Sequence, residues 1–237
     1  MSAETRVGLL GGTLDPIHLG HIETALAALR ALRLDRAYVL PSNVPPHRTE
    51  RPVASSYHRF AMTALAVNGR DGLLASDLEL TTPGTSYTAD TLTRFREASG
   101  LTASQVFFIT GADAFAEIAT WHRYPEVLDL AHFVVVSRPG VAAESLRQQL
   151  GTLASRMISV TPDDSSHEPR AANREPRVFL VNAATPDVSS TEIRKRLMAG
   201  RSIAGLVPPG VQRHIAQHGL YSGNPGSFAA DHLHDEN

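Results

Sequence analysis

The chain has no cysteine. Disulfides, thiolate nucleophiles and cysteine-bound zinc are therefore excluded together, and the composition suits a reducing compartment. Lysine is almost as scarce: Lys195 stands alone, and the other 21 of the 22 basic residues are arginines. Arginine carries a permanent charge on a planar fork that matches phosphate oxygens, although most of these side chains belong to an ordinary charged surface. Net charge is small, −2, so no global basic field draws the chain to nucleic acid or to an anionic membrane. No stretch approaches the roughly 18 consecutive apolar residues of a membrane helix. The opening MSAETRVGLLGG has too short an apolar run, ended by glycine, for a signal peptide. The expectation is a cytoplasmic protein with neither nucleic acid nor membrane as partner. A homo-oligomer is left open.

What is present is an ordinary globular composition over 237 residues, 42% of them hydrophobic, enough for a core without covalent staples. Residues 6–10 (RVGLL) form a short apolar run ending at Gly11-Gly12, a buried-strand pattern. Ile22, Ala25, Leu26, Leu29 and Leu32 then recur at helical spacing, which predicts a helix over residues 18–34. Residues 37–40 (AYVL) predict a second strand, so the chain opens as a βαβ unit. Four prolines make 41–52 a loop. Helices are expected at 57–67, at 87–98 with Ser86 or Thr88 as N-cap, at 144–155, 190–199 and 209–218. Further strands are expected at 73–80, 105–110, 133–137 and 178–181. Alternating strands and helices predict an α/β fold with a doubly wound parallel sheet, ending in a small helical part.

Ligands in such sheets bind at the carboxyl ends of the strands. Three predicted strand ends carry glycine-rich or polar turns: Gly11-Gly12-Thr13, Gly111-Ala112-Asp113 and Ser137-Arg138-Pro139-Gly140. One domain over residues 1–221 is expected, interrupted by a polar, proline-bearing and disordered insertion at 161–176. A flexible tail follows over 222–237. That tail holds His232, His234 and Asp235, a set able to chelate metal, but an untidy terminus accounts for it as well.

Residues 11–21 read GGTLDPIHLGH. Two glycines admit a ligand close to the backbone, and a helix begins just beyond, presenting free N–H groups and its positive dipole end. His18 and His21, three apart, project from one face of its first turn, and Gly20 leaves room beside them. The stretch is neither a G-x-G-x-x-G fingerprint nor a P-loop. Zinc would need a third ligand that nothing nearby supplies, so no residues are assigned to metal. Paired histidines three apart are also common on helix surfaces. Near the other end, Ser189, Ser190 and Thr191 cluster at a helix start with Arg194 one turn in. Hydroxyls, free N–H groups and a guanidinium make a second phosphate-gripping terminus, or a plain helix cap.

The first stretch resembles the N-terminal H-x-G-H signature of the nucleotidylyltransferase superfamily, with Leu14 where the family usually has Phe. Ser189 to Arg194 resembles its second motif, S-S-T-x-I-R, at every fixed position. Ser86-Tyr87-Thr88-Ala89-Asp90-Thr91-Leu92, Gly111-Ala112-Asp113, Trp121-His122-Arg123-Tyr124 and Ser137-Arg138-Pro139-Gly140 resemble the bacterial nicotinate-nucleotide adenylyltransferases in order and spacing. Pro41-Ser42-Asn43-Val44-Pro45-Pro46-His47 fits them too. The resemblance covers about residues 6–221, apart from the insertion.

The resemblance implies a Rossmann-like nucleotidylyltransferase fold and transfer of AMP from ATP to nicotinic acid mononucleotide, giving deamido-NAD and pyrophosphate. It implies His18, His21 and Arg194 as catalytic groups. Gly11, Gly12, Thr13, Gly111, Asp113, Ser137, Arg138, Ser189, Ser190 and Thr191 would bind ATP. Asn43, His47, Tyr87, Thr88, Trp121 and Tyr124 would bind the mononucleotide, with Trp121 stacked on the pyridine and N–H groups near Thr88 and Tyr124 on its carboxylate. Mg²⁺ would be held mainly by ATP phosphates. Two rivals remain at this point. One is a sister enzyme acting on phosphopantetheine or nicotinamide mononucleotide. The other is a nucleotide sensor that kept the fold and lost the chemistry.

Overall fold

A computed structural model describes residues 5–45, 53–161 and 175–222. His47 lies outside these residues, as do 162–174 of the expected insertion and 223–237 of the expected tail. Seven strands form one all-parallel sheet: β1 Val7–Gly12, β2 Arg36–Pro41, β3 Leu73–Ala75, β4 Val106–Gly111, β5 His132–Val136, β6 Met157–Val160 and β7 Val178–Val181. Their spatial order is β3-β2-β1-β4-β5-β7-β6. The helices are α1 Leu19–Leu32, α2 Ser56–Val67, α3 Thr88–Ser99, α4 Ala112–Phe115, α5 Leu146–Gln149, α6 Ser190–Met198 and α7 Pro209–Gln217.

The double winding follows from which side chains each strand sends to which face. Leu10, Phe107, Ile109, Val134 and Val136 pack with α1, α2, α6 and α7, through Ile22, Met62, Ile193 and Val211. Their chain neighbours Leu9, Phe108, Phe133 and Val135 pack on the opposite face with Leu92 of α3, Phe115 of α4 and Leu146 of α5. Covered on both faces, parallel strands read as unbroken apolar runs, which is why residues 133–136 show no alternation. All of β5 is buried, and each Val or Phe so buried contributes about 1.5–3 kcal/mol.

Chain order reverses at β1: β2 and β3 lie on one side, β4 and β5 on the other. That makes a switch point at the carboxyl ends of β1 and β4, the place where such sheets bind ligands. The three glycine-rich or polar turns fall at the ends of β1, β4 and β5, three adjacent strands.

Three elements differ from the pattern in the sequence. The helix expected over 144–155 breaks into a 3-10 turn at Ala143–Ser145, the single turn α5 and a second 3-10 stretch at Gly151–Arg156. Gly151 follows the Leu150 cap of α5, and Arg147 donates to the carbonyls of Ala154 and Met157, folding the chain back. This delivers β6, an edge strand that the pattern did not announce. The strand expected over 73–80 stops at Ala75, because the N–H groups of Leu80 and Thr81 bond back to the Asp77 carbonyl in a turn. Helix α3 has neither expected cap: Tyr87 holds the N-cap position without a side-chain bond, and Ser86 Oγ instead accepts from the Asn43 N–H.

Candidate active site

Beyond β1 the chain runs through Thr13 to Ile17 into α1, and that loop is fixed from below by Asp15. Asp15 is 1% exposed. Its carboxylate accepts from the N–H groups of Val53 (2.8 Å) and Ala54 (3.1 Å) and from the Tyr221 hydroxyl (2.7 Å). Burial, then the adjacent carboxylate, push the Tyr221 pKa up, so its hydroxyl remains a donor.

His18 is the N-cap residue of α1, with extended backbone, and is 1% exposed. Its ring stacks on that of His21 with centroids 3.7 Å apart. The His18 N–H donates to His21 Nδ1 at 3.3 Å. An imidazole that accepts at Nδ1 carries its proton on Nε2 when neutral, so His21 offers a donor from its far side. Burial, then Arg138, lowers the His18 pKa to about 3. Burial, then His18 and Arg138, hold His21 well below its usual value. Both rings are therefore neutral near pH 7.

Arg138, at the end of β5, reaches across to this pair. A Cβ on Gly20 would stand 3.0 Å from the His18 ring and 3.1 Å from Arg138 Nη1. A Cβ on Gly111 would stand 3.1 Å from Arg138 Cγ and would collide with Asp113 Oδ1. The two glycines are thus the space in which the guanidinium crosses from β5 to α1 and Asp113 turns back over the end of β4.

The second signature meets the first on the same loop. Arg194 Nη1 donates to the Asp15 carbonyl at 2.6 Å and lies 3.9 Å from its carboxylate. Arg194 Nη2 donates to Thr191 Oγ1. Ser190 Oγ donates to the Pro16 carbonyl at 2.9 Å, and Ser189 Oγ caps α6 by accepting from the Glu192 N–H.

A pocket of about 300 Å³ opens beside the β1 turn. Gly11, Gly12, Thr13, Tyr87, Thr88 and Trp121 all line it, as expected residues, together with Ser42, Glu79, Ser86, Phe108 and His122. Trp121 is half-buried, edge-on to Phe108 and Phe133. The N-cap residue Tyr87 makes no side-chain bond to α3, and Tyr87 with Thr88 brings the start of that helix to the pocket. Two lining residues carry buried polar atoms without a partner among the described residues, Ser42 Oγ and Glu79 Oε2, and His18 Nδ1 is a third such atom. Such atoms are costly unless something fills them. A second, more open cleft of about 600 Å³ runs along Ser137, Arg138, Asn182 and Thr185 at the ends of β5 and β7.

Some expected residues stand elsewhere. Tyr124 is not among the pocket's lining residues, and its N–H is already donated to the Trp121 carbonyl at 3.0 Å. Asn43 spends its side-chain amide on the Thr82 carbonyl. Ser137 Oγ bonds to Asn182 and accepts from the Ala143 N–H, so it shapes the second cleft through its loop.

Known proteins resemble this chain. Residues 9–196 match the Cytidylyltransferase-like family. A protein of Desulfatibacillum aliphaticivorans named "Probable nicotinate-nucleotide adenylyltransferase" is 40% identical over 91% of this chain and 99% of its own. The chain belongs to the nicotinate-nucleotide adenylyltransferase family. Its relative in Thermoanaerobacter sp. (strain X514) is 35% identical over 93% of this chain and 96% of its own. Among solved structures, the Plasmodium falciparum nicotinic acid mononucleotide adenylyltransferase complexed with NaAD superposes with a TM-score of 0.68. It covers 92% of this chain and 97% of its own, at 19% identity, and so speaks for the fold.

Within this adenylyltransferase two residues of the site escaped the motifs. Arg59 of α2 is 1% exposed and donates to the carbonyls of Thr13, Ser42, Asn43 and Ala54, pinning the β1 and β2 turns together. Glu79 is 5% exposed and accepts from Thr91 at 2.8 Å, and burial raises its pKa against that bond. The signal for each was a charge in apolar company: Arg59 in YHRFAMTALAV, Glu79 between Leu78 and Leu80. Among the described residues no helix is long and apolar enough to cross a membrane.

Proposed function

We propose that this site joins ATP to nicotinic acid mononucleotide, giving deamido-NAD and pyrophosphate. One observation carries the reading: Ser190 and Arg194 are bonded to Pro16 and Asp15, two and three residues before His18 of the stacked His18–His21 pair. Two helix N-termini, two imidazoles and a guanidinium are thus gathered on one loop, beside a tryptophan-lined pocket.

ATP lies with its triphosphate between α1 and α6. Gly11, Gly12 and Thr13 admit it at the β1 turn, and Ser189, Ser190, Thr191 and Arg194 hold its β- and γ-phosphates. Gly111 and Asp113 face its ribose, and Ser137 with Arg138 borders its base along the second cleft. The mononucleotide occupies the pocket, its ring on Trp121 and its carboxylate at the open first turn of α3, by Tyr87 and Thr88. Thr88 takes this part better than Tyr124, whose N–H is engaged. Asn43 shapes the rim through its bonds to Ser86 and Thr82. Ser42 and Glu79 offer unfilled polar atoms to the mononucleotide's ribose.

The chemistry is displacement at phosphorus. A phosphate monoester has a second pKa of about 6 and is mostly dianionic at neutral pH, so it attacks without a general base. Its oxygen forms a bond to the α-phosphorus while the bond to the β-phosphate bridging oxygen breaks, and pyrophosphate leaves with that electron pair. Catalysis is then positioning plus charge stabilisation. His21 donates from Nε2, and Arg138 brings positive charge beside the His18 ring. The contacts of His18, His21 and Arg138 strengthen as charge spreads over the α-phosphate oxygens.

Mg²⁺ supplies Lewis-acid neutralisation of the phosphates when bound. The residues fit an ion that arrives on ATP and keeps its water: Asp15 has both carboxylate oxygens engaged, and Asp113 is turned over Gly111. Pyrophosphate release is the test. The protein should release it with ATP plus nicotinic acid mononucleotide, and much less with nicotinamide mononucleotide or phosphopantetheine. Equal rates with the amide would make the specificity wrong, and no release with any acceptor would favour a sensor.

A further inference from the structure

Helices α2 and α7 run antiparallel against each other: a Cβ on Gly210, early in α7, would stand 3.5 Å from Leu65, late in α2. At the opposite end of the pair three histidines meet. His58 lies in the first turn of α2, His214 near the end of α7, and His218 at its C-cap. Four positions apart on a helix, His214 and His218 share a face. His58 Nδ1 and His214 Nε2 are 3.0 Å apart, although 156 residues separate them in the chain. One ligand atom from each of the three rings lies within 4.8 Å of the other two.

From this geometry we propose that His58, His214 and His218 form a binding site for a divalent transition ion of the zinc class, outside the pocket and the cleft described above. Three imidazole nitrogens at about 2.0–2.1 Å from a tetrahedral zinc stand roughly 3.3 Å from one another. One pair here is already that close. His218, exposed at a helix end, is the ligand free to rotate inward. Three imidazoles without carboxylate favour zinc, nickel or copper over magnesium or calcium, and a water completes the shell.

The ion would act as a clamp. It joins α2 to the end of α7, three residues before Tyr221 returns to Asp15. Without metal the same rings make a histidine–histidine hydrogen bond, and the experiment separates the two states. Tag-free, chelator-treated full-length protein is dialysed against Zn²⁺, and Co²⁺ is used to read coordination by its visible d–d bands. The expected result is one Zn²⁺ per chain and a melting temperature raised by about 5–10 °C at a hundredfold excess over Kd. His58→Gln, His214→Gln and His218→Gln should each weaken binding roughly 100-fold and abolish the four-coordinate cobalt spectrum. Replacing His232 and His234 together by Ala should change neither. No stoichiometric binding by the wild-type protein, or binding that survives all three Gln variants, would overturn the site. Should a Gln variant melt early without metal, the cobalt spectrum of its folded form still decides.

Discussion

Arg194 Nη1 lies 2.6 Å from the carbonyl oxygen of Asp15, across 179 positions of chain. A carbonyl so placed can hold the guanidinium only because Asp15 is itself held, by two N–H groups following the β2 turn and by Tyr221 beyond α7. The loop before His18 is therefore the meeting point of β1, α2, α6 and the end of α7. Its geometry sets where the two signatures face each other.

Tyr221→Phe isolates one strand of that network. It removes a buried donor to a carboxylate while Ala54 and Val53 keep theirs. A hydrogen bond to a charged group contributes about 1.5–3 kcal/mol, so the melting temperature should fall by roughly 4–10 °C for a domain of this size. Calorimetry measures it, and an unchanged melting temperature would mean that the bond adds nothing to the folded state.

Gly20→Ala tests space rather than stability. Alanine in place of glycine favours a helix by about 0.8–1.0 kcal/mol. Yet the new methyl would press on the His18 ring and Arg138 at 3.0 and 3.1 Å. The expected variant melts within about 3 °C of the parent while turnover falls at least about tenfold, since a small misplacement of catalytic groups is costly. Pyrophosphate release beside thermal melting separates the two effects. Full activity would show that His18 and Arg138 need not stay where they are.

Much of this site was legible because its residues announce themselves locally. Gly11-Gly12, the His18–His21 spacing and the hydroxyl cluster at 189–191 each satisfy a rule that operates within one turn of chain. The three turns singled out in the sequence follow β1, β4 and β5, which are adjacent in the sheet, and the hydroxyl cluster follows β7, next in order. Legibility failed where a residue works through distant partners. Arg59 gathers four carbonyls from two other loops, and Glu79 faces the pocket from a turn that resembled a strand. Ser137 and Asn43 had the right chemistry, but their polar atoms are used within the fold, Asn43 on the Thr82 carbonyl and Ser137 on Asn182 and the Ala143 N–H. The broken helix at 144–155 has the same cause: Arg147 prefers carbonyls at Ala154 and Met157, which no periodicity records.

Acid should weaken the ligand-free protein in a defined window. His18 titrates at about 3 when folded and near 6.5 when unfolded. Between those values the unfolded chain binds more protons, so stability rises with pH and is lost as pH falls from about 6.5 toward 3. His132, lowered to about 4 chiefly by burial, acts in the same direction. His18→Gln should therefore flatten the stability–pH profile without making it level. Denaturant melts from pH 7.5 to 4 would reveal this, and an identical slope in both proteins would contradict a neutral buried His18.

Trp121→Ala should act on one substrate. Its ring lines the mononucleotide pocket, and a stacking contact contributes about 0.5–1.5 kcal/mol beyond area, or roughly two- to tenfold in binding. KM for nicotinic acid mononucleotide should rise by that factor while KM for ATP stays nearly constant. A rise confined to ATP would place the adenine, not the pyridine, on this ring.

His21→Ala should act on the transition state. In the ground state the ring is neutral and already oriented by the His18 N–H, so ATP binds with little help from it. As charge spreads over the α-phosphate oxygens its Nε2–H bond strengthens, and only such differential contacts raise kcat. Loss of one such donor costs about 10²–10³ in kcat, with KM for ATP changed only slightly. Steady-state kinetics decide the matter. Equal losses in kcat and in ATP affinity would make His21 a binding residue, and wild-type turnover would remove it from the reaction.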